Sequence, residues 1–175
     1  LVQEIHGPEA NAQFGYSVAI DLTGDHIVVG SPHTTGKGRV YVYKYNSSTD
    51  QYDILGNYIE GVADSDSFGF SVDLSDTGDV AGDPTLIVGA PNYGGGIFSK
   101  TNRGYVKVFT FKNNSWVTVQ SQIDSNRSDW FIGGSENTKL GHSVAISNDS
   151  NRIAFSSMPS GNKGNFVQVF DLYKP

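Results

Sequence analysis

Polar and apolar positions along this chain follow one short pattern three times over. Each copy opens with a brief alternating run: "FGYSVAIDL" from Phe14, "FGFSVDLS" from Phe68 and "LGHSVAIS" from Leu140. A turn leads to a run that is apolar at consecutive positions: "HIVVGSP" from His26, "TLIVGAP" from Thr85 and "RIAFSSMP" from Arg152. Such a run reads as a strand buried on both faces. Beyond a glycine-rich loop comes a strictly alternating run: "GRVYVYKY" from Gly38, "GYVKVFTF" from Gly104 and "NFVQVFDL" from Asn165. Its period of two is that of a strand with one face covered. A fourth run closes two of the copies, "YDILGNYIEG" from Tyr52 and "SWVTVQSQID" from Ser115.

Four antiparallel strands joined by short turns form one twisted sheet, which cannot bury both of its faces alone, so the copies must stack on one another. Radial stacking predicts an all-β fold, a β-propeller of three four-stranded antiparallel blades whose first strands line the central channel. Crowding at that channel accounts for Gly15, Gly69 and Gly141, for the small Ser17, Ser71 and Ser143, and for Phe14, Phe68 and Leu140 as wedges between blades. Residues 1–12 read as the closing outer strand of a blade, 13–66 as blade 1, 67–138 as blade 2 and 139–175 as blade 3 without its outer strand. Propellers typically need about four to eight blades. The ring is therefore expected to be completed by further sequence, or by a second copy in a homodimer that exchanges the strand formed by Leu1 to Gly7. A chain that opens on Leu1 rather than Met is expected to be a processed product or a fragment.

With "FG-x-SV" three times, Leu140 standing once in the Phe place, and "VGSP", "VGAP" and a weakened "SSMP" following, the chain resembles the FG-GAP repeats of the integrin alpha-chain N-terminal β-propeller. The likeness covers nearly its whole length. It implies an extracellular or surface location and a role in recognition or adhesion. In the resembled blades the turn between first and second strands often carries a calcium loop, whose oxygens wrap a hard cation. Here "DLTGDH" and "SNDSNR" are too short, and only "DLSDTGDVAGDPT" offers a candidate set, Asp76, Asp79 and Asp83, with Asp73 assigned to the strand. Its spacing departs from the family's D-x-[DN]-x-[DN]-G-x-x-D pattern, so a solvated acidic turn is the plainer reading. "ADSDS", with Asp64 and Asp66, is read the same way.

Composition narrows the partners. A net charge of -6 and a pI near 5.0 argue against nucleic acid, whose binders carry a basic face. No apolar run approaches the roughly 20 residues that span a bilayer, so no membrane insertion is expected. The chain lacks cysteine, which removes disulfides, thiolate nucleophiles and zinc–thiolate sites. Sequons at Asn46, Asn113, Asn126 and Asn148 lend weak support to secretion.

Strand order places the second-to-third and fourth-to-first loops on one face. "PNYGGGIFSKTNRG" from Pro91 and "SNRSDWFIGGSENTK" from Ser125 are insertions there, and loops longer than about 12 residues tend to be functional or disordered. Their Tyr93, Ile97, Phe98, Arg103, Trp130 and Phe131 are the candidate contacts for a protein or glycan partner, against the plainer reading that they fold back to cap the blade. Trp116 is read as core. His142 shares its slot with Tyr16 and Phe70 and is read as structural, while His6, His26 and His33 show no partner spacing. No Ser/His/Asp set can be assembled, so no enzymatic activity is expected. The alternative role is assembly, with exchanged end strands linking copies into a shell, coat or filament.

Overall fold

The middle strands explain why the chain stacks as sheets. In the computed structural model, which describes residues 2–33, 36–76, 84–94, 102–119, 130–158 and 165–172, strands form and no helix does. The first sheet holds β1 (Ser17–Ile20), β2 (His26–Ser31), β3 (Arg39–Asn46), β4 (Gln51–Ile54) and β5 (Ile59–Glu60). The second holds β6 (Ser71–Leu74), β7 (Thr85–Ala90), β8 (Tyr105–Lys112), β9 (Ser115–Thr118) and β10 (Trp130–Ile132). The third holds β11 (Leu140–Ile146), β12 (Arg152–Ser157) and β13 (Val167–Asp171). Pairing within every sheet is antiparallel and runs outward in chain order from the first strand.

On β7 the side chains alternate between two neighbours. Leu86 and Val88 pack in a core shared with Val28, Val40 and Val42 of the first sheet, while Ile87 joins Ile146, Ile153 and Phe155 of the third. A strand covered on both sides has no solvent face to mark with polar residues, which is why "TLIVGA" reads as continuously apolar. The three sheets are therefore propeller blades lying face to face, and the ring they begin is not closed. Phe68 and Leu140 are fully buried in these two interfaces, the wedge role expected of them, and Phe14 packs edge-on to Tyr41 with ring centroids 5.5 Å apart.

The first strands stand side by side. Ser17 Oγ donates to the Gly69 carbonyl and Ser71 Oγ to the Gly141 carbonyl, each at 2.8 Å. The rings of Tyr16 and Phe70 lie 5.0 Å apart and those of Phe70 and His142 5.2 Å apart, so His142 is the third member of one stack. Ahead of each first strand the backbone repeats a shape that the sequence hides. Asn11, Ser65 and Asn137, then Gln13, Ser67 and Lys139, then Gly15, Gly69 and Gly141 all have left-handed φ values between 48° and 88°. Only the last trio is glycine; the others accept a backbone region that side chains disfavour, because the tight entry into the first strand requires it.

The outer strand departs from expectation. In blade 1 it is split into β4 and β5, both paired to β3. In blade 2 it is split into β9 and β10, both paired to β8. The segment from Ser125 was expected to be wholly a loop after the fourth strand, yet Trp130–Ile132 resumes the outer edge, pairing with β8 opposite Tyr105, Val106 and Lys107. At the other end of the chain, Gln3 brackets the Tyr52 backbone through its side-chain amide, and Ile5 packs against Val29, Tyr41 and Tyr43 of blade 1.

Candidate functional site

Loops on one face are laced together by backbone hydrogen bonds. Ser65 N donates to Gly36 O, Asn92 N to Asp66 O, Lys139 N to Asn102 O and Gly133 N to Gly104 O. Second-to-third and fourth-to-first loops therefore do share a face, as strand order requires. Beneath the entry to blade 2, Asp66 acts as a clamp. Its buried carboxylate accepts from the backbone N–H groups of Val62, Ala63 and Phe68 at 3.0–3.2 Å and from the Tyr105 hydroxyl at 2.7 Å. The reading of Asp66 as a solvated acid is thus corrected: its oxygens are consumed by the tight turn. Burial, together with the charge of Asp66, pushes the Tyr105 hydroxyl pKa well above the ordinary tyrosine range.

Between blades 1 and 2 these loops border an open cleft of about 450 Å3 lined by Pro32, His33, Gly36, Asp64, Ser65, Ser67 and Asn92. A volume of that order suits a small ligand or one residue of a larger one. Asn92 Nδ2 donates to Ser67 Oγ at 2.9 Å, while His33, Asp64 and Ser65 are exposed. Sequence reasoning missed this cleft except for its face, since its wall is assembled from three separate loops.

The residues singled out from the sequence scatter. Tyr93 is buried edge-on against Tyr105, with ring centroids 5.0 Å apart. Arg103 donates through Nε to the Gly133 carbonyl at 2.8 Å and so ties two loops. Phe131 stacks within 4.9 Å of both Phe155 and Phe170, inside the interface between blades 2 and 3. Trp130 lies in β10, and Ile97 and Phe98 fall outside the described residues. Trp116, read as core, does pack between blades, its indole donating to the Leu55 carbonyl at 3.0 Å.

On the opposite face the candidate cation turn offers little. Asp76 accepts a hydrogen bond from the Leu22 backbone N–H, Asp73 from that of Ile146 at 2.8 Å, and Asp79 and Asp83 lie outside the described residues. Among the described residues no three acidic, histidine or cysteine groups gather at a cation distance. His26, for which no partner was foreseen, bonds through Nδ1 to Asp21 at 2.7 Å across the β1–β2 turn. Thr23 bonds that same aspartate, not the imidazole.

Residues 7–43 match the family model described as the FG-GAP repeat. Within those residues the chain carries the FG-GAP repeat. It is also similar to a phosphatidylinositol-glycan-specific phospholipase D of Dictyostelium discoideum, at 28% identity over 167 residues. That similarity takes in 83% of this chain but 16% of the relative, so the chain spans about a sixth of that protein's length. In blades 1 and 2 the motif marks the blade entry: Phe and Gly set the wedge and the left-handed turn, and the closing Gly30 and Gly89 sit where the neighbouring blade comes nearest, whereas blade 3 carries Leu140 and Ser156 in the Phe and closing-glycine places.

Proposed function

We propose that this chain is a non-catalytic recognition module of an extracellular or surface protein, holding a protein or glycan partner against its loop face. The observation that carries this reading is the cleft between blades 1 and 2. Among the described residues its lining contains no lysine or arginine, which disfavours phosphate or carboxylate ligands. His33, Asp64, Ser65 and Asn92 instead offer donors and acceptors suited to hydroxyl and amide groups. The test is a screen of immobilised glycans and extracellular proteins against the native chain and the variant Asp64→Ala/Asn92→Ala. At least a tenfold loss, about 1.4 kcal/mol, is expected for a genuine partner. Unchanged binding by the folded variant would remove the cleft from the site.

A second reading is favoured by the relative's name. The chain would then be an accessory module carried by an enzyme that acts on glycan-bearing lipid, with catalysis elsewhere. Binding to vesicles that display a phosphatidylinositol glycan, but not to plain phosphatidylcholine vesicles, would favour it over the first.

A further inference from the structure

Two interfaces inside the chain are built alike. In each, a first-strand serine donates to the carbonyl of the next blade's FG glycine, Ser17 to Gly69 and Ser71 to Gly141. Opposite that serine on the second strand stands another glycine, Gly30 in blade 1 and Gly89 in blade 2. A Cβ placed on either would lie 2.1 Å from the neighbouring carbonyl oxygen, far inside van der Waals contact. Glycine in this slot is what lets adjacent blades approach.

Each end of the blade set exposes part of such an interface, while farther out on blade 1 Ile5 covers Val29, Tyr41 and Tyr43. On blade 1, Val18 and Ile20 are 64% and 58% exposed, whereas Val72 and Leu74 in the same slots of blade 2 are 8% and 4% exposed. On blade 3, Val167 and Val169 are 67% and 64% exposed, whereas their counterparts Val40, Val42, Val106 and Val108 lie between 0% and 3%. Ser143 occupies the slot of Ser17 and Ser71. One residue breaks the match between the two open halves. Ser156 pairs with Val167 as Gly30 pairs with Val40 and Gly89 with Val106, so a side chain stands where both internal interfaces hold bare backbone.

We propose that the part of blade 1's face left open at Val18 and Ile20 is a socket for a blade with serine in the Ser17 slot and glycine in the Gly30 slot, and that Ser156 bars blade 3 of a second copy from filling it. The strand-exchanged homodimer expected from the sequence requires that docking. The chain by itself therefore stays monomeric, and the socket selects a blade of different sequence. Ser156 is a specificity residue whose effect resides in its Cβ.

The experiment is solution mass by light scattering across a concentration series, for the native chain, Ser156→Gly, Ser156→Ala and Val18→Lys/Ser156→Gly, with circular dichroism as the check on folding. The native chain and Ser156→Ala are expected to remain monomeric, because alanine keeps the Cβ. Ser156→Gly is expected to gain at least tenfold in self-association, and Val18→Lys to abolish that gain by placing a charge in the socket. A defined dimer of the native chain, or a folded Ser156→Gly that gains nothing, would overturn the proposal. Should Ser156→Gly fail to fold, Gly89→Ala decides, because it puts a Cβ into the same slot of an interface inside the chain: a lowered urea midpoint supports the proposal, and an unchanged midpoint refutes it.

Discussion

The Tyr105 hydroxyl donates to the Asp66 carboxylate at 2.7 Å, tying the third strand of blade 2 to the loop that delivers its first strand. Three backbone N–H groups complete the clamp. Removing the acceptor strands several buried donors at once, and each costs roughly 1–3 kcal/mol when left unmade. Asp66→Ala is expected to destabilise the chain by about 3–4 kcal/mol and Tyr105→Phe by about 1–2 kcal/mol. Urea midpoints of both variants and of the double variant measure the coupling, which should be large because the two groups share one bond.

Phe131 fills an interface and is expected to act through stability. Its ring contacts Phe155 and Phe170, so Phe131→Ala should lower stability by about 2–4 kcal/mol. A folded variant with an unchanged midpoint would show that the ring is dispensable to blade packing.

Acid should act partly through Asp21. Burial works to raise its pKa, but hydrogen bonds from the His26 side chain and backbone, with the imidazole charge and Thr23, outweigh that and hold it below the ordinary value. A carboxyl whose folded pKa lies below its unfolded value of about 3.9 contributes stability that is complete above that value. That contribution is lost as pH falls through the folded pKa. The stability gap between the native chain and Asp21→Asn should therefore be widest near neutrality and shrink below about pH 4. Urea midpoints followed across that range check it, and a gap that widens toward acid would contradict the pairing.

Calcium should leave the melting temperature unchanged. Asp76 is committed to the Leu22 backbone N–H, and a ligand of the native state must raise the melting point. A chelator-sensitive melt would contradict this by showing a cation bound to the native chain.

The blades were legible because their strands are punctuated by the demands of packing. β7 is buried from both sides, so its run is continuous, and Phe68 and Leu140 announce each blade entry. The return of the outer strand at Trp130 was obscured by the stretch that separates it from β9. Its signal was the likeness of "DWFIGG" to "NYIEG", where Phe131 takes the place of the buried Ile59. Asp66 looked like a surface acid because its partner Tyr105 lies 39 positions away. The cleft was invisible for a similar reason: Pro32, Asp64 and Asn92 meet only after two blades have packed.

Loop face, cleft and open socket all depend on the three first strands lying side by side. Nuclear Overhauser contacts among ring protons test that most directly, since Phe70 lies 5.0 Å from Tyr16 and 5.2 Å from His142 by ring centroid. Cross-peaks from Phe70 to both rings are the expected result. A folded chain that shows neither would contradict the arrangement of its blades.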